Sequence, residues 1–571
     1  MTIDRVTKAY LKQFSENYNF IDIDESLLFE HFVNYTLVSP LTNHRIIPES
    51  INIGENGTQG IDGFAILLNS KLIENFEDLD EVDLLGINKV EFIFIQAKIS
   101  SEMDYNKING FGNAVSDFIS KDPQYTWPCH VLEKIKLFNK ILDIIPKAKT
   151  KPKLRCLLYY VTLANNSVHL DTSLIRGSCN LIKDSILRES IFTNEDINIQ
   201  MINAESIRDK YNKIGRSIEK NITFKEYVLL PNIEGVKESY LGYIRGHDLI
   251  SLIKNDDDDS LISEVFYDNV RDYQGNNKVN SEIKNTLQSN NKDSFILLNN
   301  GITIVAENCN RIRDTITLSN YQIINGCQTS HVLYTNKDKI DDNVNIPLKL
   351  IITENEDITL SIIKSTNSQT EIKDYNLIAF TRFQKSLEEF YDAIDDEDKL
   401  YYERRSKQFE GNQIDHNRII DIKTQIKSIA SLYYNRPHDA RYFKRLFEWT
   451  QDHLFKDNDE LYPYYIASLA YYKLDSAFKT KRIDMKYKKI KFHILMMLGK
   501  EIHSSRCPDF KNKKQINKYC NTIKEILDDD KKLMAILNNI VKKIDGLNVD
   551  LLDSDLSKEK EFVDKCLSLY H

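Results

Sequence analysis

A single apolar run constrains the fold of this chain more than any other feature. It reads VEFIFIQAK from Val90 to Lys98. Because side chains alternate between the two faces of a strand, the even-numbered residues of 92–98 share one face and the odd-numbered residues of 93–97 share the other. Both faces are apolar up to Ile95, which is typical of a central strand that is covered on both sides. The run therefore predicts a sheet with helices packed on it.

The segments around this run fit an α/β core. Residues 24–38 carry leucine and aromatic side chains at helical spacing, and the same spacing recurs at about 110–121 and 130–145. Residues 61–68 and 153–164 read as further strands. We therefore predict an α/β domain over residues 1–217.

The rest of the chain divides by its pattern. Short strand-like runs separated by Asn and Gly turns, such as SFILLNNGITIVAE and YQIINGCQTSHVL, predict an α+β domain over 227–410. The pattern is mostly helical from about residue 376 to the end, and we predict a helical C-terminal domain over 411–571.

The net charge, the cysteine spacing and the lengths of the apolar runs limit the classes of protein that this sequence fits. The net charge of −9 means that any nucleic-acid contact must come from local basic patches, because the overall field repels phosphate. None of the 8 cysteines forms a CxxC pair and none is spaced for zinc, so we expect reduced, mostly structural thiols. The first residues show no apolar signal-peptide core, and no apolar run reaches transmembrane length. We therefore expect a cytoplasmic protein without membrane contact.

The end of the central strand is polar, and its polar side chains need partners. A buried glutamine or lysine carries a desolvation cost unless something pairs with it. Asp62, between Gly60 and Gly63, is predicted to lie on the neighbouring strand, where the glycines allow close backbone approach. One pairing that fits is a divalent cation held by Asp62 and Gln96 with a phosphate beside Lys98.

At Asp62 and Gln96-Ala97-Lys98 the chain resembles the PD-(D/E)XK nuclease superfamily, in the variant with Gln in place of the second acid. The GIDG context is similar to Mrr-type restriction enzymes. The resemblance implies a restriction-endonuclease-like fold, Mg²⁺ or Mn²⁺ on Asp62, a weaker ligand or positioning role for Gln96, a metal contact from the Ala97 carbonyl, and a catalytic lysine at Lys98. Glutamine is neutral and holds a metal less strongly than an acid.

An acid on the first helix often completes sites of this superfamily. By that resemblance Glu30 is the better candidate and Glu25 the poorer one, with Glu55 as a further loop candidate. The alternative is that Asp62 is a turn residue and that the QAK segment is a frayed strand end.

Five further segments, in order, resemble the abortive infection phage resistance (AIPR) family. They are Asn269–Arg271, Asn299–Thr303, Asn325–Thr329, Thr366–Gln369 and Tyr402–Arg405. These segments and the nuclease-like part together extend the resemblance over about residues 1–410. The resemblance implies a bacterial anti-phage defence protein.

The same segments are rich in amide and hydroxyl groups that follow strands. Such groups can form a hydrogen-bonding pocket, and arginine can add an anion contact. The pocket would use Arg271, Asn300, Asn325, Gln328, Asn367 and Gln369. The alternative is that these residues only cap turns.

A basic run in the C-terminal part is the candidate nucleic-acid contact. Basic side chains beside aromatic ones, here Tyr487 and Phe492, can follow a phosphate backbone and stack on bases. The run comprises Lys479, Lys481, Arg482, Lys486, Lys488 and Lys489. The alternative is a solvated helix face.

Two functions from different classes follow. The first is a metal-dependent nuclease in abortive infection, with DNA favoured over RNA as its substrate. The second is a catalytically degenerate nucleic-acid-binding or sensor subunit of a multi-protein defence system. A weaker third reading makes the middle domain a nucleotide sensor. The resemblance also allows a homodimer and other defence-system proteins as partners.

Overall fold

The computed structural model describes most of the chain. The described residues are 3–20, 22–54, 57–82, 84–100, 102–149, 151–164, 173–215, 218–256, 259, 261–266, 278–289, 292–367, 378–379, 381–395, 398–405, 407–410, 412, 414–503, 505–551 and 556–570. The chain divides into two compact units, one comprising Met1–Glu16, Phe20–Asn376 and Glu410–Asn412, and the other Asn17–Asn19, Leu377–Phe409 and Gln413–His571. It is a mixed α/β protein.

The first unit begins with a five-stranded sheet. Its strands are β1 (Gly63–Leu68), β2 (Lys71–Leu72), β3 (Lys89–Lys98), β4 (Lys153–Thr162) and β5 (Ile197–Ile202), in the order β2-β1-β3-β4-β5. β3 lies in the middle, antiparallel to β1 and parallel to β4. Residues 90–97 are all buried, so the predicted central covered strand is confirmed.

Helices accompany this sheet, and the three predicted ones appear as Glu25–Val38, Tyr105–Ile119 and Cys129–Ile144, within about five residues of the predicted bounds. The helices are α1 (Arg5–Tyr18), α2 (Glu25–Val38), α3 (Pro48–Ile51), α4 (Tyr105–Ile119), α5 (Cys129–Ile144), α6 (Ser173–Arg188) and α7 (Ala204–Lys213). Asp24 caps α2 by accepting from the Ser26 N–H, and Asp104 caps α4 in the same way through Asn106. Such caps satisfy N–H groups that have no partner inside the helix.

A six-stranded sheet follows in the same unit, with an apolar core of its own. Its strands are β6 (Glu219–Thr223), β7 (Glu226–Leu229), β8 (Glu238–Arg245), β9 (Ile302–Ile312), β10 (Thr315–Asn325) and β11 (Asn345–Ile352), in the order β6-β10-β9-β11-β8-β7. The helices are α8 (Gly246–Ile253), α9 (Lys278–Gln288), α10 (Phe295–Leu298), α11 (Cys327–Thr335) and α12 (Glu356–Asn367). The strand-like reading of the FILL segment is wrong, because it forms the helical turn α10.

The second unit is mostly helical, as predicted. Its helices are α13 (Arg382–Ala393), α14 (Ile422–Tyr434), α15 (Phe443–His453), α16 (Tyr462–Lys479), α17 (Lys491–Ile502), α18 (Lys513–Leu527), α19 (Asp530–Asp545) and α20 (Lys560–Ser568). A short parallel pair, β12 (Tyr401–Glu403) and β13 (Ile419–Asp421), accompanies them. Among the described residues, every helix is too short or too polar to span a bilayer.

Candidate active site

Asp62 lies beside the polar end of β3. It directly precedes β1, and its backbone N–H donates to the Ile95 carbonyl at 2.8 Å. Gly63 pairs with Ile95 across the two strands, so one further step of this register sets Asp62 opposite Gln96. Directly opposite residues of an antiparallel pair present their side chains on the same face. The expected neighbourhood of Asp62 and the QAK segment is therefore confirmed.

The Asp62 carboxylate is buried and held by two donors. Oδ2 accepts from the Ala97 backbone N–H at 2.9 Å and from Lys98 Nζ at 3.1 Å. Burial raises the pKa of Asp62, while the Lys98 charge and the Ala97 N–H oppose that rise. The Lys98 side chain pairs with the carboxylate while one third of it, 33%, remains exposed.

α2 brings a second acid to the same place. Glu30 and Asn34 lie one helical turn apart, and Asn34 Nδ2 donates to the Asp62 carbonyl at 3.2 Å. Glu30 Oε2 accepts from Asn52 Nδ2 at 3.5 Å. Burial, followed by the nearby Asp62 charge, raises the pKa of Glu30 to about 7. Two carboxyl groups that repel each other favour either a proton or a cation between them.

Glycines make this close packing possible. A Cβ at Gly54 would lie 2.5 Å from Glu30 Oε2, and one at Gly63 would lie 2.2 Å from Asn34 Oδ1. Gly60 has a φ of +92°, and a Cβ there would lie 2.3 Å from Gln96 Nε2. The prediction that Gly60 and Gly63 serve close approach is confirmed, although the groups that approach are side chains of the site itself.

Gln96 has an unsatisfied oxygen. The residue is 4% exposed, and its Oε1 has no hydrogen-bond partner among the described residues. On the other side of Gln96, Tyr160 of β4 lies opposite it in register. Burial raises the pKa of Tyr160 to about 12, with the charges of Asp104 and Asp62 adding to the rise. A buried oxygen without a hydrogen-bond partner destabilises the folded state, and a bound cation or water would remove that destabilisation.

Three further residues of this site were not predicted from the sequence. Asn34 and Asn52 contact Asp62 and Glu30 through their amides, and Tyr160 lies next to Gln96. The spacing of Glu30 and Asn34 on one helix face was a visible signal for Asn34. Tyr160 becomes visible only once the register of β3 and β4 is known.

The donors at this site suit a hard cation but do not form a dense acid cluster. Asp62, Glu30 and Gln96 offer carboxylate and amide oxygens, which are the ligands that Mg²⁺ prefers. No group of three or more His, Cys, Asp or Glu residues that could hold a metal occurs in the part of the chain that the structure describes. Glu25 lies elsewhere, paired with Lys8 at 3.4 Å, and Glu55 lies outside the described residues.

The structure describes only some of the residues of the predicted amide pocket. Asn325 ends β10, and Asn300 lies between α10 and β9 at the same end of the sheet, because Asn325 pairs with Thr303. Gln328 Oε1 accepts from Asn280 Nδ2 at 2.8 Å. Arg271 and Gln369 lie outside the described residues, as does the side chain of Asn367.

The glycines of that region are explained by packing. A Cβ at Gly301 would lie 2.5 Å from the Pro347 carbonyl, and one at Gly326 would lie 2.4 Å from Ile302 Cγ2. Their close neighbours are thus atoms of the protein, which favours the turn-capping alternative. Cys327 is buried at 5% exposure.

Carboxylates accompany several cations of the basic run in the second unit. Lys479 lies 3.8 Å from Asp475, Arg482 lies 2.6 Å from Asp530, and Lys486 lies 3.8 Å from Asp545. The remaining members, Lys481, Lys488 and Lys489, are exposed. Tyr487 is 2% exposed and donates to Asp545, so its ring does not form a platform for bases.

Residues 266–546 match a family model described as AIPR protein. This match supports the AIPR family. All five AIPR-like segments fall inside the matched range. The range continues past residue 410 and includes the helices α14 to α19. The Asp62 site and the five-stranded sheet lie outside it. No curated protein and no solved structure matches the chain.

Proposed function

We propose that this protein is a metal-dependent nuclease that acts in abortive infection against phage. The AIPR match supports the defence role. The nuclease role rests on one arrangement, in which Asp62, Glu30, Gln96 and Lys98 converge at the end of a central strand. The proposed fold of the first sheet is that of the restriction-endonuclease-like nucleases, and the proposed cation is Mg²⁺ or Mn²⁺.

The cation would be held by oxygen atoms of Asp62, Glu30 and Gln96, with the Ala97 carbonyl as a further ligand. The unsatisfied Gln96 Oε1 and the raised pKa of Glu30 support this donor set. When bound, the cation would lower the pKa of a water molecule and offset negative charge on the phosphate.

The chain's own residues would orient the Asp62 carboxylate and balance the charges around the cation and the phosphate. The Ala97 N–H fixes the rotation of the Asp62 carboxylate at 2.9 Å. Lys98 Nζ, 3.1 Å from that carboxylate and partly exposed, could stabilise negative charge that develops on a scissile phosphate. Without the cation, the Glu30 carboxyl, with a pKa of about 7, would hold a proton near neutral pH that binding of the cation would displace.

Cleavage of plasmid DNA and of single-stranded RNA by the purified full chain tests this proposal. We expect cutting in Mg²⁺ or Mn²⁺ that EDTA abolishes and that Lys98→Ala reduces by roughly a hundredfold or more, as for loss of one charge-stabilising donor. Lys121→Ala is the matched control, because Lys121 is exposed beyond the end of α4. Cutting by Lys98→Ala at the wild-type rate would refute the assigned role.

A second candidate is a degenerate core that binds nucleic acid or senses infection without cutting. The small acid set at the site supports it, because a neutral glutamine contributes less to metal affinity than a carboxylate. Wild-type protein that binds neither Mg²⁺ nor Mn²⁺ and cuts no substrate would favour this candidate.

A further inference from the structure

One edge of the six-stranded sheet is open and apolar. β7 is the last strand of that sheet, and among the described residues it pairs with β8 and with no other strand. Val228 of β7 is 67% exposed and Leu229 is 61% exposed. Native proteins usually protect such an edge with charged side chains, a proline or a covering helix, because unpaired backbone groups recruit other chains. The one charged residue of β7 is Glu226, at its start.

The opposite edge of the same sheet is protected. There α8 supplies partners for the backbone of β6, because the Asp248 carboxylate accepts from the Thr223 N–H at 3.0 Å and Ser251 Oγ donates to the Asn221 carbonyl at 3.5 Å. The helix thus engages backbone groups that another strand would need. The difference between the two edges leaves β7 as the edge of this sheet that can accept a further strand.

The open side of β7 presents the backbone groups of two residues. The Leu230 N–H donates to the Ser239 carbonyl at 2.9 Å. In an antiparallel pair, hydrogen-bonded and non-hydrogen-bonded residue pairs alternate, so Leu230 and Val228 bond to β8 and the residues between and before them do not. The N–H and C=O groups of Tyr227 and Leu229 therefore face away from β8.

The exposed face beside this edge is apolar as well. Val228 lies directly opposite Leu241 of β8, which is 48% exposed, and Tyr243 follows two residues further along β8 and is also exposed. The next residue in the row is Lys349 of β11, which lies opposite Leu241 and is exposed. The apolar patch is therefore confined to the two strands at the edge.

We propose that β7 pairs with β7 of a second copy of this chain, antiparallel across a two-fold axis. Within the bounds of β7, the register that pairs both outward residues sets Tyr227 opposite Leu229 of the second copy, and Leu229 opposite its Tyr227. Each of these pairs can exchange both of its N–H···O bonds. The six-stranded sheets of the two copies then form one continuous sheet.

The same register places Val228 opposite Val228 of the second copy. Opposed residues of an antiparallel pair have Cβ atoms about 4.5–5.5 Å apart, so the two valines join the Leu241 side chains of both copies in one apolar row. Glu226 lies opposite Leu230 of the second copy, so the two carboxylates do not face each other. The edge thus complements itself in backbone groups, apolar side chains and charge, as a two-fold interface requires. This self-complementarity favours a second copy over a foreign strand.

Sedimentation velocity of the full chain in EDTA, over a range of protein concentrations, tests this proposal. We expect wild type to form a dimer. Val228→Lys sets two like charges opposite each other and should raise the dissociation constant of the dimer by roughly a hundredfold. Val228→Glu should have the same effect. An equimolar mixture of Val228→Lys and Val228→Glu should dimerise again, because the opposed residues then carry opposite charges.

The matched control is Leu181→Lys, which adds the same charge at an apolar position of α6 that is 61% exposed. It should dimerise as wild type does. The proposal is overturned if wild type is monomeric at every concentration, if Val228→Lys dimerises as wild type does, if the mixture of the two charged variants stays monomeric, or if Leu181→Lys weakens the dimer as much as Val228→Lys. Because EDTA is present throughout, an inactive metal site would leave these results unchanged.

Discussion

Lys98 Nζ lies 3.1 Å from Asp62 Oδ2, at the point where β3 leaves the covered part of the sheet. The lysine is thus the counter-ion of a buried carboxylate, and its charge opposes the rise in the pKa of Asp62 that burial causes. A cation bound at Asp62 would take over this role and leave the ammonium for a phosphate. This exchange links the metal-binding and the anion-binding parts of the proposed site.

Changing Gln96 to Glu should test whether its buried oxygen faces a cation. The new carboxylate would lie beside Asp62 and Glu30, so we expect the Tm in EDTA to fall by several degrees, since one kcal/mol corresponds to roughly 2–4 °C in a domain of 150–250 residues. Added Mn²⁺ should raise the Tm of Gln96→Glu more than that of wild type, because each charged ligand adds affinity. Differential scanning fluorimetry measures both effects.

Gln124→Glu is the control for that experiment, because Gln124 is exposed. Its Tm should respond to Mn²⁺ as wild type does. An equal Mn²⁺ response of Gln96→Glu and Gln124→Glu would argue against a ligand role for Gln96.

Changing Gly60 to Ala should destabilise the protein. Gly60 has a φ of +92° and no space for a Cβ beside Gln96 Nε2, so we expect a loss of about 1–2 kcal/mol in the free energy of unfolding. Gly110→Ala is the matched control, because Gly110 lies in α4 with open space around its Cβ position. That change should gain up to about 1 kcal/mol. Urea unfolding compares the two, and an unaffected Gly60→Ala would contradict the geometry.

The pH dependence of stability should report on Glu30. Its pKa is raised from 4.5 to about 7 in the folded protein, so the folded state binds more protons than the unfolded state between these values. Stability should therefore fall as pH rises through this window and stay level above it. Glu30→Gln removes the charge and should weaken this fall.

Thermal unfolding in EDTA at pH 5 and pH 8 measures the effect of Glu30→Gln. We expect the variant to gain Tm over wild type at pH 8 and little at pH 5. The reverse order, with the larger gain at pH 5, would mean that the folded state prefers the charged carboxylate.

Much of the site was predictable because the alternation of side chains along a strand determines which of them share a face. The burial of residues 90–97 and the placement of Asp62 beside Gln96 follow from an apolar run with a polar end. Asn52 and Tyr160 could not be inferred in the same way, because their contacts depend on chain crossings and register that a sequence does not display.

Two other predictions show where sequence patterns reach their limit. The FILL segment forms the turn α10, since periodicity cannot distinguish a buried strand from a helical turn in so short an apolar run. The basic run around Lys486 looked like an unbalanced charge, but Asp530 and Asp545, distant in sequence, lie beside two of its cations.

Calorimetric titration of Mn²⁺ into wild type and Asp62→Asn shows whether Asp62 holds a divalent cation. Asparagine keeps the size of the side chain and removes the charge that a hard cation needs. We expect measurable binding to wild type that is lost in Asp62→Asn, with both proteins folded by circular dichroism. Equal binding to the two proteins, or none to wild type, would contradict a metal site at Asp62.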